Sequence, residues 1–160
     1  MPVERDEQEE RRTASRDLVQ VLIVGKKGVL QRALADLISP HPEIDLRLVA
    51  QDLLDTSHWL RRHTAHVAIL DWPVFEQGAA QLLKELSHSQ PALKWLAISL
   101  YDDPFAVKQA FDMGIHAYVT KAMAAETICE AIRVLHSGRG FCSPDVADAI
   151  PNLFLEELTS

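Results

Sequence analysis

The stretch His66-Val67-Ala68-Ile69-Leu70-Asp71 decides the fold. Four apolar residues run without a break into one carboxylate. A continuous apolar run suits a strand covered on both faces, as in a parallel α/β sheet; a strand with one wet face alternates instead. Asp71 then stands at the carboxyl end of the strand, where open α/β sheets place their ligands. Position alone leaves a second reading open, in which Asp71 only opens a turn.

Working outward, the run Val19-Gln20-Val21-Leu22-Ile23-Val24 reads as the first strand, followed by the loop Gly25-Lys26-Lys27-Gly28. Leu30, Ala33, Leu34, Leu37 and Ile38 then fall on one face of a helix, which Ser39-Pro40-His41-Pro42 ends. In the second strand, residues 45–50, Leu46 and Leu48 alternate with Asp45 and Arg47, which puts it near a sheet edge. A weaker helix over 53–63 carries Leu54, Trp59 and Leu60. After the central strand comes a helix over 76–88 with Ala79, Leu82, Leu83 and Leu86, and then a fourth strand, residues 94–99. Asp102-Asp103-Pro104 starts the next helix with Asp as cap and Pro in the first turn, and Met113-Gly114 closes it. A short fifth strand, 116–120, ends before Lys121, and a helix over 123–137 carries Ile128, Ala131, Ile132 and Leu135.

Strands that alternate with helices through short right-handed connections predict an α/β, flavodoxin-like fold: a doubly wound five-stranded parallel sheet of order 2-1-3-4-5. Three regions are expected: a disordered charged tail over 1–17, a core domain over 18–138, and a linker-like extension over 139–160 with short helices. Phe154, Leu155 and Leu158 give that extension an apolar side for self-association.

Composition narrows the function. A net charge of −7 argues against direct nucleic-acid binding by this segment. No apolar run is long enough for a membrane span, and the N-terminus reads as neither a secretory signal nor a transit peptide. Cys129 and Cys142 have no metal or disulfide spacing and are expected as reduced thiols in a cytoplasmic protein, Cys129 part-buried. His58, His63 and His66 lack a carboxylate at metal spacing, and Gly25-Lys26-Lys27-Gly28 is not a phosphate-binding glycine loop. Trp59, Trp72 and Trp95 read as packing residues.

In the expected fold the ends of strands one, three, four and five bring together Gly25-Lys26, Asp71, Ser99 and Lys121. The Asp can accept a phosphoryl group, the Ser can hydrogen-bond a phosphoryl oxygen, and the Lys can balance the charge.

In order and spacing, Asp71, Ser99 and Lys121 resemble the phosphoacceptor, switch hydroxyl and lysine of CheY-like receiver domains, and Tyr118 falls where that family has its mobile aromatic. The segment from Asp102 to Ile150, including Ser143-Pro144-Asp145-Val146-Ala147, is similar to the second half of LuxR/NarL-type response regulators. The resemblance covers about 19–149 and implies a receiver domain of a two-component transcriptional regulator: a signalling module and not an enzyme. It also implies a homodimer, a histidine kinase or other protein partner, and either a DNA-binding output domain beyond residue 160 or a stand-alone receiver.

Two departures qualify that expectation. The family carries a Mg²⁺-holding acidic pair directly after strand one, where this chain has Gly25 and Lys26. The family's Pro also lies four positions past the phosphoacceptor, whereas Pro73 lies two past Asp71. With Lys26, Asp71 and Lys121 the site carries net +1, against −2 in the usual receiver, so Mg²⁺ binding is expected to be lost and no cofactor is expected. Lys26 is expected against Asp71 in place of metal, the alternative being that it extends to solvent. The reading is an atypical receiver acting by protein–protein contact. Two others stay open: a conventional phospho-accepting receiver at Asp71, and a sensor of small anions at Lys26, Lys27 and Lys121.

Overall fold

The computed structural model describes residues 18–74, 76–151, 156, 157 and 159. The expected tail and the apolar residues Phe154, Leu155 and Leu158 lie outside that set.

Strand β1 (Val19–Val24) leads into helix α1 (Val29–Ile38), and β2 (Ile44–Ala50) into α2 (Leu53–Leu60). Next come β3 (Val67–Trp72), α3 (Ala79–Ser89), β4 (Lys94–Ser99), α4 (Pro104–Asp112), β5 (Ala117–Thr120) and α5 (Ala124–His136). The extension adds β6 (Phe141–Cys142) and α6 (Pro144–Ala149). All pairings are parallel and the order is β2-β1-β3-β4-β5-β6. The expected order therefore holds for the first five strands, with one strand more than expected. A two-residue strand carries no hydrophobic period; β6 exists because Phe141 and Cys142 come to lie beside Ala117 and Tyr118.

Alternation along each strand divides the core into two layers. Leu22, Val24, Ala68, Leu70 and Trp72 pack on one face with Leu53, Leu60, Leu83, Leu86, Val107 and Ala110 of α2, α3 and α4, joined by Val146 and Ile150. Val21, Ile23, Val67 and Ile69 pack on the other with Leu34 and Ile38 of α1 and Ile128, Ile132 and Leu135 of α5. Helices on both faces keep the central strands dry, which is why residues 67–70 read as an unbroken apolar run.

Two helix faces are turned from their expected positions. In α1 the buried residues are Gln31, Leu34 and Ile38, and Ala33 is exposed. In α2 Leu53 and Leu60 are buried while Leu54 is exposed. The expected cap of α4 forms, with the Asp103 carboxylate accepting the Ala106 amide at 3.0 Å, and α2 has a cap that was not expected, the Asp52 carboxylate accepting the Asp55 amide at 2.8 Å. Cys129 and Cys142 are free thiols, half-buried, and burial pushes the Cys142 pKa up to about 12. Trp95 is fully buried, Trp72 buried and Trp59 half-buried, as packing residues should be.

Candidate functional site

The parallel register sets the site. Trp72 lies beside Ser99 and Ser99 beside Thr120, so the carboxyl ends of β3, β4 and β5 finish level, while β1 ends at Val24 beside Leu70, two residues short of the end of β3. Asp71 sits one residue before the end of β3. Its carboxylate meets the Lys121 ammonium at 3.1 Å, the two side chains being 40% and 29% exposed. Lys121 is aimed there by its backbone, whose N–H donates to the Ser99 carbonyl at 2.7 Å.

Ser99 is fully buried, and its hydroxyl accepts the Tyr101 amide at 3.1 Å. Tyr118 points inward and is also fully buried; its hydroxyl donates to the Tyr101 carbonyl at 2.7 Å. Burial pushes the Tyr118 pKa up, against a lowering by a hydrogen bond with Ser99. Ser99 and Tyr118 thus hold the loop after β4 from both sides, while Leu100 and Tyr101 stay exposed.

The two residues after β1 behave differently from each other. Gly25 backs onto Asp71: a Cβ there would stand 3.0 Å from the Asp71 Cβ, so its lack of a side chain is what permits the approach. Its N–H donates to the Ala50 carbonyl at 2.9 Å, and its own carbonyl accepts from Gln31 Nε2. The same Gln31 nitrogen donates to the Ala50 carbonyl at 3.2 Å. Lys26 is exposed, with no ion-pair partner among the described residues. The expected Lys26–Asp71 pair is thus replaced by Lys121–Asp71. A loop lysine on a solvated turn loses side-chain entropy if it is pinned, whereas Lys121 is already directed inward by its backbone. Of the three lysines of the expected anion site, Lys121 is engaged by Asp71, and Lys26 and Lys27 are exposed. The Trp72–Pro73 peptide bond is cis.

Sequence reasoning missed two polar arrangements. Gln31 is one; a glutamine beside an apolar helical face reads as solvated, and nothing local marks it as buried. The other joins β5 to the extension. The Thr120 hydroxyl donates to Asp145 Oδ2 at 2.5 Å, and the buried Ser143 hydroxyl donates to Asp145 Oδ1 at 2.7 Å. The Thr120 amide donates to the Ser143 hydroxyl at 3.2 Å. Burial pushes the Asp145 carboxyl up, but the bonds from Thr120, Ser143 and the Val146 amide outweigh it and hold its pKa below the ordinary value. The Ser143-Pro144-Asp145 run was the available signal, because Ser before Pro, with Asp in the first turn, announces a helix start.

The chain matches the family model described as the response regulator receiver domain over residues 21–133. It is 21% identical over 140 residues to the transcriptional regulatory protein LnrK of Bacillus subtilis (strain 168), covering 88% of this chain and 64% of the relative. It is 25% identical over 133 residues to the DNA-binding transcriptional activator DevR/DosR of Mycobacterium tuberculosis, covering 83% of this chain and 61% of the relative. The chain thus spans less than two thirds of these relatives. Among solved structures, it resembles a LuxR-family two-component response regulator from Aurantimonas with a TM-score of 0.76 at 20% identity, over 86% of this chain and 99% of that one. The isolated receiver domain of RcsB from Salmonella enterica serovar Typhimurium gives a TM-score of 0.73 at 19% identity, over 84% and 99%.

Proposed function

The chain belongs to the response regulator receiver family, and from that premise we propose that it is a pseudo-receiver: a signalling module of a two-component-type transcriptional regulator that works by protein–protein contact, independently of Mg²⁺-dependent phosphorylation. One observation carries this reading. The carboxylate in the phosphoacceptor position is held by Lys121 at 3.1 Å, with Gly25 and an outward Lys26 where carboxylates would hold the metal. Mg²⁺ is taken up through carboxylate oxygens in near-octahedral geometry. Among the described residues no group of three His, Cys, Asp or Glu side chains is placed to hold a metal. The residues present therefore do not fit the ion. Without it, no ion bridges the oxygens of a transferring phosphoryl group, and Lys121 is the cation left facing Asp71.

A second reading, ordinary phosphorylation of Asp71, draws support from the accessibility of that carboxylate, 40% exposed. Incubation with acetyl phosphate and Mg²⁺, followed by intact mass, separates the two. The pseudo-receiver should stay largely unmodified; stoichiometric phosphate that disappears in Asp71→Asn would establish the second reading. On either reading we propose a homodimer that takes input from a histidine kinase or another protein in the cytoplasm and passes it to a DNA-binding output domain beyond residue 160. The described residues contain no helix long and apolar enough to cross a membrane.

A further inference from the structure

At the opposite, amino-terminal end of the sheet is an open depression of about 450 Å³. Gln20, Arg47, Arg61, Arg62, His63 and Gln90 line it. Three guanidinium groups gather there in a chain whose net charge is −7. Arg47 meets Asp45 at a loose 3.7 Å, while Arg61 and Arg62 have no ion-pair partner among the described residues. The ring of His63 stacks on Trp59, with centroids 4.4 Å apart, and its Nδ1 lies 3.0 Å from the Trp59 carbonyl. The Gln90 side chain donates to the Leu60 carbonyl at 3.2 Å. These contacts brace the lining at Gln90 and His63, and Arg47, Arg61 and Arg62 are all exposed.

The chain supplies a complementary partner. Residues 4–10 read Glu-Arg-Asp-Glu-Gln-Glu-Glu, five carboxylates against one guanidinium. The polypeptide enters β1 at Val19, and Gln20, the next residue, is itself part of the lining. Seven residues, 11–17, separate the acidic run from the strand region. At full extension they reach about 23–25 Å, more than enough to lay the run across a depression that begins at its own anchor. A tethered partner acts at high effective concentration, so individually weak surface ion pairs can together hold it.

We propose that this basic depression is the docking site of the chain's own acidic segment, residues 4–10, and that the segment screens the depression from other anions. The occupant is intramolecular, and the site is separate from the Asp71–Lys121 contact, so the proposal stands or falls independently of the pseudo-receiver reading.

The test uses the full chain. A charge-neutralised variant carrying Glu4→Gln, Asp6→Asn, Glu7→Gln, Glu9→Gln and Glu10→Gln is compared with the unmodified protein by amide ¹H–¹⁵N spectra. Shift changes should cluster at Gln20, Arg47, residues 60–64 and Gln90, and should collapse when NaCl is raised to about 0.5 M, where the Debye length falls to a few ångströms. The reciprocal variant, Arg61→Glu with Arg62→Glu, should move the amides of residues 4–10. Titration with inorganic phosphate adds a competition readout: its apparent affinity for the depression should be at least about threefold weaker in the unmodified chain than in the neutralised one. Spectra that differ only within residues 1–17 would overturn the proposal. So would equal phosphate affinity in the two chains, which would make the depression an open anion surface with no resident segment.

Discussion

Replacing Gly25 and Lys26 by Asp, singly and together, separates the packing of the candidate site from its charge. Lys26 is exposed and unpaired among the described residues, so Lys26→Asp without metal should change stability by no more than about 0.5 kcal/mol, as at an ordinary surface position. Gly25→Asp should behave otherwise. Its Cβ would meet the Asp71 Cβ at 3.0 Å, so the ends of β1 and β3 must part by a few tenths of an ångström, or Asp71 must turn and loosen its contact with Lys121. Overpacking of this kind costs about 1–3 kcal/mol, and a second carboxylate beside Asp71 adds repulsion. The double variant sets three carboxylates against Lys121 and gives Mg²⁺ the oxygens it lacks. Saturation at about 100 times the dissociation constant returns about 2.7 kcal/mol. Thermal melts of the four proteins with and without about 10 mM Mg²⁺ read both effects, at roughly 2–4 °C per kcal/mol for a chain of this size. A Gly25→Asp protein as stable as wild type would show that the close approach imposes nothing. A wild type that melts several degrees higher in Mg²⁺ would end the metal-free reading.

Other outcomes follow from the remaining polar contacts. Asp145→Asn removes the charged acceptor shared by Thr120 and Ser143 and should cost about 1–3 kcal/mol, with hydrogen exchange rising first at Val146 and Thr120; unchanged exchange there would refute the network. Gln31→Leu takes the side-chain donor from the Gly25 carbonyl, while Ala50 keeps the Gly25 N–H, and should cost about 1–3 kcal/mol, by urea melts; a neutral result would show that the contact adds nothing. His66 and His116 accept the Gln20 and Trp95 amides through Nδ1, so both are neutral in the fold. Burial lowers both pKa values, with further lowering from His136 and Lys94 respectively. Below about pH 6.5 the unfolded chain therefore binds more protons than the folded one, and stability should fall as pH drops from there through the lowered folded values. Urea midpoints that stay flat between pH 7.5 and 5 would contradict this.

What was legible in the sequence follows from how local each signal is. Asp71 could be found because residues 67–70 are dry on both sides and the carboxylate interrupts them. Ser99 and Lys121 followed, because strand ends in a parallel sheet finish level. The choice of ammonium was not legible. Lys26 and Lys121 both follow apolar strands by a residue or two, and only the 2.7 Å bond from the Lys121 amide to Ser99 distinguishes the one that turns inward. Gln31 was hidden because its acceptors, Gly25 and Ala50, belong to two different strand ends. Asp145 was visible as a helix-start residue, but its bond to Thr120 spans 25 positions. Strand β6 is too short to carry any period.

Thr120 and Lys121 are neighbours in sequence yet hold opposite parts of the molecule. Lys121 grips Asp71 at the end of the central strand, and Thr120 grips Asp145 at the head of α6, whose Val146 is sealed into the layer under α2, α3 and α4. One peptide plane lies between the two grips, and its N–H is tied to Ser99. The two grips therefore share one backbone anchor, the bond from the Lys121 N–H to the Ser99 carbonyl, and the crevice and the departing chain are fastened to the sheet at the same amide.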